Sequence, residues 1–256
     1  MVVKAEAAGA FSLSLLIAMT TWTAGSQAGP TLDDWSFAVG PGVAAQPEYV
    51  GSDKYQAWPL PIIEAKWKDK VFLSAQDGLG WNAIKTSNFR FGPLAHYYWG
   101  SRDRPSGINN IDFGTQVGAF AEFAFSHWKL DATALYAVSG SSEGARANLG
   151  LAYGTRINKN WEVVVRADAD YFNDNEMKTY FGINAREASD SNLREYSPSM
   201  GIADAGLGLK INYQISEDWS MLGLIRGSTL LGDAKDSPLT QQEFQGYGGV
   251  GFAYHF

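Results

Sequence analysis

Apolar and polar side chains alternate with a period of two along most of the chain from Trp35 onward. In residues 161–172 the odd positions are apolar or aromatic, and segments 145–153 and 203–213 repeat this order. Successive side chains of a strand point to opposite faces, so these segments predict strands with one face suited to lipid and one to water. The polar positions predicted to face inward, and so to line a lumen, are Arg146, Glu162, Arg166, Asp168, Asp170, Asp204 and Lys210. The same parity places Asp112, Glu122, Lys129, Asp131 and Arg156 inward.

The alternation predicts an all-β fold, a transmembrane antiparallel up-and-down β-barrel of about twelve strands. After the first 30 residues no apolar run approaches the roughly 20 residues that a membrane-spanning helix needs. The hairpin that turns at Gln76-Asp77-Gly78 is the least regular, and ten strands is the alternative without it. The predicted strands are 35–48, 55–67, 70–77, 79–85, 89–99, 111–124, 127–138, 145–156, 160–172, 201–214, 218–229 and 246–256.

The last strand ends on an aromatic carboxyl terminus, with Val250, Phe252, Tyr254 and Phe256 on one face. This pattern is typical of the closing strand of a bacterial outer-membrane barrel. We expect Phe252, Tyr254 and Phe256 to form the signal that the barrel-assembly machinery reads. A soluble sandwich shows similar alternation, but rings at the ends of the apolar faces favour a membrane.

The connections fall into two classes, short turns at one end and long loops at the other. The long loops are 100–110, 173–200 and 230–245. Short periplasmic turns and long extracellular loops are expected of an outer-membrane barrel. Five tryptophans near the short turns predict one aromatic girdle: Trp35, Trp67, Trp128, Trp161 and Trp219. The residues expected to supply the other girdle are Tyr49, Tyr55, Tyr98, Trp99 and Phe172.

The amino-terminal residues predict export. Lys4 precedes an apolar stretch from about Ala8 to Met19, and Ser26-Gln27-Ala28 places small residues where a signal peptidase cleaves. We therefore expect a signal peptide at 1–28, a barrel domain at 29–256, and a location in the outer membrane of a Gram-negative bacterium. An amphipathic amino-terminal helix is the alternative.

Composition excludes several kinds of function. The 256 residues include no cysteine and three histidines, and the net charge is −7. Disulfides and thiolate metal sites are therefore impossible, and we expect no metal, no cofactor and no nucleic-acid partner. A serine hydrolase needs a base beside its nucleophile, and the histidine expected in the outer half, His96, has no serine in an obvious register. We predict that the protein is not an enzyme, and that it contacts outer-membrane lipid and lipopolysaccharide.

Several blocks of sequence resemble the MipA/OmpV outer-membrane family. These blocks are Pro47–Asp53 (PEYVGSD), Trp58–Ile62 (WPLPI), Thr179–Ile183 (TYFGI), Leu230–Pro238 (LLGDAKDSP) and the terminal GFAYHF. The resemblance implies a non-enzymatic scaffold that holds a lytic murein transglycosylase together with a murein synthase during peptidoglycan assembly. Other members of the family are described as surface adhesins or antigens, or are linked to antibiotic entry.

Two questions stay open at this stage. The inward charges of both signs either pair across the lumen and close it, as a scaffold allows, or line a narrow channel for a small solute. Pro59 and Pro61 interrupt a predicted strand, and because proline cannot donate to a ladder we expect a bulge or an irregular rim there.

Overall fold

A computed structural model of the chain describes residues 34–101 and 103–256. The predicted signal peptide, 1–28, and segment 29–33 lie outside this part. The strands are β1 Trp35–Gly40, β2 Gly42–Pro47, β3 Tyr55–Pro59, β4 Ile62–Trp67, β5 Val71–Ser74, β6 Gly78–Trp81, β7 Ile84–Lys85, β8 Phe89–Tyr98, β9 Gly114–Phe125, β10 Trp128–Ala137, β11 Ala145–Arg156, β12 Trp161–Phe172, β13 Gly201–Gln214, β14 Trp219–Leu230 and β15 Phe244–His255. The helices are α1 Asp174–Phe181, α2 Ala185–Ser191 and α3 Gly232–Lys235.

These segments form one closed antiparallel barrel. Segments β1 and β2 continue one another, as do β3 and β4, and β6 and β7, so that twelve strands surround the lumen. The last strand, β15, closes the barrel by pairing with both β1 and β2. The predicted twelve-stranded barrel, closed by its carboxyl-terminal strand, is confirmed.

The hairpin of β5 and β6 is shorter than predicted. Strand β5 ends at Ser74, whose hydroxyl oxygen accepts a hydrogen bond from the backbone N–H of Asp77 at 2.7 Å. Gly78 follows with φ of +81°, and a Cβ there would lie 2.3 Å from the carbonyl oxygen of Ala95. Local side-chain capping and a glycine-dependent backbone therefore turn the chain early. The predicted irregularity at the prolines is present, since β3 ends at Pro59 and β4 begins at Ile62.

The outer surface carries a broad apolar belt. Large apolar side chains such as Leu149, Leu207 and Ile225 are exposed on it. At the end with the short turns, tryptophans contact neighbouring rings, as in the pairs Trp161–Tyr213 at 4.5 Å and Trp219–Tyr254 at 5.1 Å. No helix in the described part of the chain is long and apolar enough to cross a membrane.

The predicted second girdle is wrong for three of its five members. Tyr55 and Trp99 are exposed on the outer surface, but Tyr49, Tyr98 and Phe172 are at most 7% exposed. Tyr98 and Phe172 lie at inward-facing positions of their strands, and Tyr49 lies in the loop between β2 and β3. All three are buried at the long-loop end of the barrel.

Candidate functional site: a filled lumen beneath a folded lid

The long loops fold together into a lid over one end of the barrel. Helices α1, α2 and α3 belong to this lid, and α1 packs on strands β11, β12 and β13. Its apolar interior, which we call the lid core, contains residues of the loops and residues at the long-loop ends of the strands. The lid core contains Val50, Tyr98, Ile111, Ala137, Phe172, Met177, Tyr180, Phe181, Ala203, Leu230 and Ala234.

Polar contacts fix helix α1 at both ends. The side-chain oxygen of Asn173 accepts hydrogen bonds from the backbone N–H groups of Glu176 at 3.0 Å and Ala145 at 2.9 Å, so this N-cap also joins the helix to β11. At the other end, the guanidinium of Arg104 donates to the carbonyl oxygens of Thr179 at 3.3 Å and Tyr180 at 2.9 Å. A cation is favourable there because the last carbonyls of a helix carry partial negative charge.

An ion pair between Glu176 and Arg146 fastens the lid to the barrel wall. Glu176 is 0% exposed and Arg146 is 5% exposed. The Nε atom of Arg146 lies 2.8 Å from Oε1 of Glu176, Arg146 Nη2 contacts the same oxygen, and the hydroxyl of Ser142 donates to Oε2. Arg146 also donates to the Tyr180 hydroxyl at 2.9 Å. Burial raises the pKa of Tyr180 to about 12.

Below the lid, a buried network of four aspartates and two arginines joins strands β10, β12, β13 and β14 inside the barrel. Arg166 lies 2.7 Å from Asp131 and 3.0 Å from Asp168. Arg226 contacts the same Asp168 at 3.1 Å, so that one carboxylate joins the two guanidinium groups. The members, Asp131, Arg166, Asp168, Asp170, Asp204 and Arg226, are each at most 7% exposed.

Four further contacts complete this network. Arg226 lies 2.6 Å from Asp204 and 3.9 Å from Asp170. Asn148 accepts from Arg166 at 2.6 Å and donates to Asp170 at 3.1 Å, which joins the two halves of the network. The strands that carry it are consecutive in the wall from β10 to β14, so the network covers one side of the lumen, and its burial leaves little room for water or a solute there.

Of the other residues predicted to face inward, Glu122 and Lys129 lie closer to the short turns, whereas Asp112 and Arg156 are exposed. Arg90 and Glu122 form an ion pair at 2.5 Å, with Lys129 at 3.9 Å from the same carboxylate oxygen. Glu162 and Lys210 lie on the neighbouring strands β12 and β13 and are half-buried. Of the seven candidates, Arg146 thus belongs to the ion pair with Glu176, and four belong to the network below it, namely Arg166, Asp168, Asp170 and Asp204. Glu162 and Lys210 lie closer to the short turns than these five.

The prediction from sequence missed two charged residues of this site. Arg226 lies between inward-facing Leu224 and Ser228 on β14, so the period of two was signal enough to find it. Glu176 lies three residues after Asn173, and this spacing is typical of a helix start with a capping side chain. A loop helix that places a carboxylate inside the barrel has no other local signal.

The terminal strand contributes to closure. The backbone N–H of Phe256 donates to the carbonyl oxygen of Phe37 on β1 at 3.0 Å. The rings of Tyr254 and Phe256 meet edge to face at 4.7 Å. Phe252 is 45% exposed on the outer face. Their recognition by an assembly machinery stays a prediction.

The three histidines make local contacts. His96 Nε2 lies 3.0 Å from the carbonyl oxygen of Gln76, and His127 Nδ1 lies 3.1 Å from the Ser126 hydroxyl. His255 Nε2 lies 2.8 Å from the hydroxyl of Ser220, which is 3% exposed. Among the described residues no group of three or more histidine, cysteine or acidic side chains is arranged to hold a metal ion. That the protein is not an enzyme stays a prediction.

Three of the sequence blocks that resemble the MipA/OmpV family meet in the lid. Val50 belongs to the first block, Tyr180 and Phe181 to the third, and Leu230 and Ala234 to the fourth, and all five lie in the lid core. The hydroxyl of Ser237 donates to the carbonyl oxygen of Phe181 at 2.7 Å and so joins the third and fourth blocks directly.

Comparison with solved structures finds other barrels. OmpT of Vibrio cholerae is 8% identical and aligns over 87% of this chain and 97% of its own, with a TM-score of 0.37. OprB of Pseudomonas putida is 10% identical and aligns over 78% of this chain and 60% of its own, with a TM-score of 0.40.

Comparison with known sequences is more specific. The MltA-interacting proteins of Escherichia coli (strain K12) and Shigella flexneri are each 30% identical to this chain over 83 residues. The match covers 32% of this chain and 33% of the length of each relative. The family described as "MltA-interacting protein MipA" matches residues 39–256, most of the chain. The chain therefore belongs to the MipA family.

Proposed function

We propose that this protein is a non-conducting outer-membrane barrel that serves as a docking scaffold for a lytic transglycosylase, and through it for a murein synthase. The observation that carries the proposal is the lumen, which the lid closes at one end and in which the ion network below is buried from water. With the interior occupied by paired side chains, the surface of the barrel is left as the site of function.

The outer surface supports the membrane location. Transmembrane barrels have an apolar band about 25 Å tall, bordered by aromatic rings. The exposed belt and the tryptophans near the short turns fit this description. We propose that the short turns face the periplasm and the lid faces outward, where it would meet lipopolysaccharide.

A channel is the second candidate, and the observed network disfavours it. A solute would have to displace the lid and then enter an interior in which Arg166 and Arg226 are buried and held by their aspartates. Breaking a buried ion pair by removing one partner costs about 3–5 kcal/mol, and here each guanidinium has more than one partner. Planar-bilayer recordings on the purified protein should show no steady conductance.

The short-turn end carries the proposed docking surface. Its turns hold exposed charged side chains in fixed positions, as in the ion pairs Lys68–Asp34 at 2.6 Å and Lys85–Asp69 at 2.9 Å. Lys68 and Asp69 have φ of +47° and +54°, and such left-handed residues define a tight turn. Relatives of this chain are named for their interaction with MltA. We expect the corresponding contact here at 68–70, 158–160 and the preceding segment 29–34.

Affinity capture from crosslinked envelopes tests the proposal. Charge reversal at Lys68 and Lys70 should lower the recovery of a lytic transglycosylase, because both side chains are exposed at the short turns. The matched control is Lys178→Glu on α1, a lysine that is also exposed but lies at the lid end. Steady conductance, or recovery that depends on Lys178 and not on Lys68 and Lys70, would instead favour the channel or a surface adhesin.

A further inference from the structure

The wall of the barrel contains a window on the long-loop side of the short β5–β6 hairpin. Transmembrane strands need about 9–11 residues, yet β5 has four residues and β6 with its continuation β7 reaches only from Gly78 to Lys85. Strand β3 pairs with β2 alone among the described strands, and the pairing of β8 with β6 ends at Ala95. The free edges of β3 and β8 therefore face each other above the hairpin.

The rim of this window is well defined. At the bottom, the side chain of Gln76 at the hairpin tip donates to the carbonyl oxygen of Pro61 at 2.9 Å, and His96 donates to the carbonyl oxygen of Gln76 at 3.0 Å. At the top, the hydroxyl of Ser101 donates to the carbonyl oxygen of Glu48 at 3.4 Å. Above the hairpin, the places of β5 and β6 between β3 and β8 are empty. Three strand-to-strand spacings of about 4.8 Å therefore predict roughly 14 Å between the backbones of β3 and β8.

Tryptophan side chains span the window. Trp58 occupies an inward position of β3, between Gln56 and buried Leu60, whereas Trp99 is exposed beyond the outer end of β8. Their ring centroids are nevertheless 6.4 Å apart. A side chain from the inside thus meets one from the outside, which requires the ring of Trp58 to lie in the opening. The rings of Tyr97 and Phe113 pack against Trp99 and extend this aromatic surface outward.

The β3 edge is unsuited to pairing with another strand. The backbone N–H of Leu60 donates to the carbonyl oxygen of Gly42, and the backbone N–H of Glu48 donates to the carbonyl oxygen of Lys54. The backbone N–H and C=O groups of the even-numbered residues of this segment therefore point toward β2. The backbone groups of the odd-numbered residues, which include Pro59 and Pro61, point toward the window. Proline has no N–H, and prolines on an edge strand prevent a partner strand from completing the ladder.

The chemistry of the rim selects an apolar occupant. Segments 55–61 and 97–100, which form its two sides, contain no charged residue. Exposed Tyr55 and Trp99 belong to the outer aromatic girdle, which places the opening at the border of the apolar belt, where lipid chains can reach it. We propose that this window binds one acyl chain of a membrane lipid, with the ring of Trp58 as its inner wall. The inference rests on the membrane location proposed above.

Fluorescence quenching in vesicles tests this proposal, because the chain has no cysteine of its own. Single cysteines replace Trp58 and, in a second variant that keeps the tryptophan, inward-facing Gln56; each is labelled with bimane. The quencher is phosphatidylcholine with a nitroxide in the middle of its acyl chain. Leu149→Cys on the outer face and Leu135→Cys on the inner face of an uninterrupted wall are the matched controls.

We expect the loss of fluorescence at positions 58 and 56 to approach the loss at 149 and to exceed the loss at 135 several-fold. Quenching at 58 and 56 no greater than at 135 would overturn the proposal, as would quenching by aqueous iodide alone, which indicates a water-filled opening. If the label at 149 is also unquenched by the lipid, the membrane location is wrong and the window proposal falls with it. Each variant is first shown to be folded by its heat-modifiable band.

Discussion

Removal of the negative charge of Glu176 is expected to release the lid from the barrel. Glu176→Gln keeps the size of the side chain but leaves the guanidinium of Arg146 buried without its carboxylate partner. Both residues are at most 5% exposed, so water does not replace the lost charge. Breaking a buried ion pair in this way costs about 3–5 kcal/mol.

That cost has a measurable consequence for lid opening. If it falls on the attachment of α1 rather than on the whole barrel, the population of the open lid rises by about two to four orders of magnitude, since about 1.4 kcal/mol corresponds to a factor of ten. Hydrogen exchange followed by mass spectrometry on the reconstituted protein measures this directly. The amides to follow are those of Met177 and Gly182, which donate within and at the end of α1.

Two variants control for unspecific effects. Asp190→Asn removes the exposed partner of Arg186 on α2, a surface pair of the same lid, and should leave exchange unchanged. Arg146→Met combined with Glu176→Leu removes both buried charges and should restore much of the protection. Exchange of α1 in Glu176→Gln that equals exchange in Asp190→Asn would refute the assignment of this ion pair as the fastening of the lid.

Three other outcomes follow from the same structure. Leu207→Arg on the outer face should lower the free energy of unfolding in lipid by about 2–4 kcal/mol near the bilayer midplane, whereas Ser216→Arg in a short turn should not; equal effects would contradict the membrane belt. Tyr180 has its pKa raised from 10.0 to about 12, so its contribution to lid stability should be full below pH 10 and lost as the pH rises to 12. A loss of lid protection, measured relative to the base-catalysed intrinsic exchange rate, that is as large in Tyr180→Phe would exclude Tyr180 as the cause. Deletion of Phe256 should reduce the heat-modifiable folded band, because its N–H bonds to β1, while Phe244→Ala at the other end of β15 should not; an unchanged band after the deletion would argue against its role in closure.

The barrel was predictable from sequence because its signals are local. A strand with one face in lipid and one in the lumen alternates strictly, and a short turn needs only a few residues of suitable chemistry. The lid depends instead on contacts between distant loops, such as Ser237 with Phe181, which no local pattern indicates. Its helices do carry local signals, since Asn173 and Asn184 each precede a glutamate by three residues and cap α1 and α2.

The incorrect girdle has a more specific explanation. Aromatic residues near the upper end of a strand suit either a membrane interface or a lid that packs on the barrel, and composition alone does not separate these. Parity does separate them at the end of β8, because Tyr98 occupies an inward position and Trp99 an outward one. The same rule assigns Phe172 to the interior. Side-chain direction therefore carries information that proximity to a strand end does not.

The end of β8 also connects the lid to the window. Tyr98 lies in the lid core, where its hydroxyl accepts from the backbone N–H of Ser142 at 3.0 Å and donates to the carbonyl oxygen of Ser139 at 3.0 Å. Its neighbours Tyr97 and Trp99 face the window. An unpaired strand edge within a membrane lacks the hydrogen bonds that normally hold it in place. The lid supplies packing and side-chain hydrogen bonds to this edge, and so stabilises the wall where the short hairpin leaves the ladder incomplete.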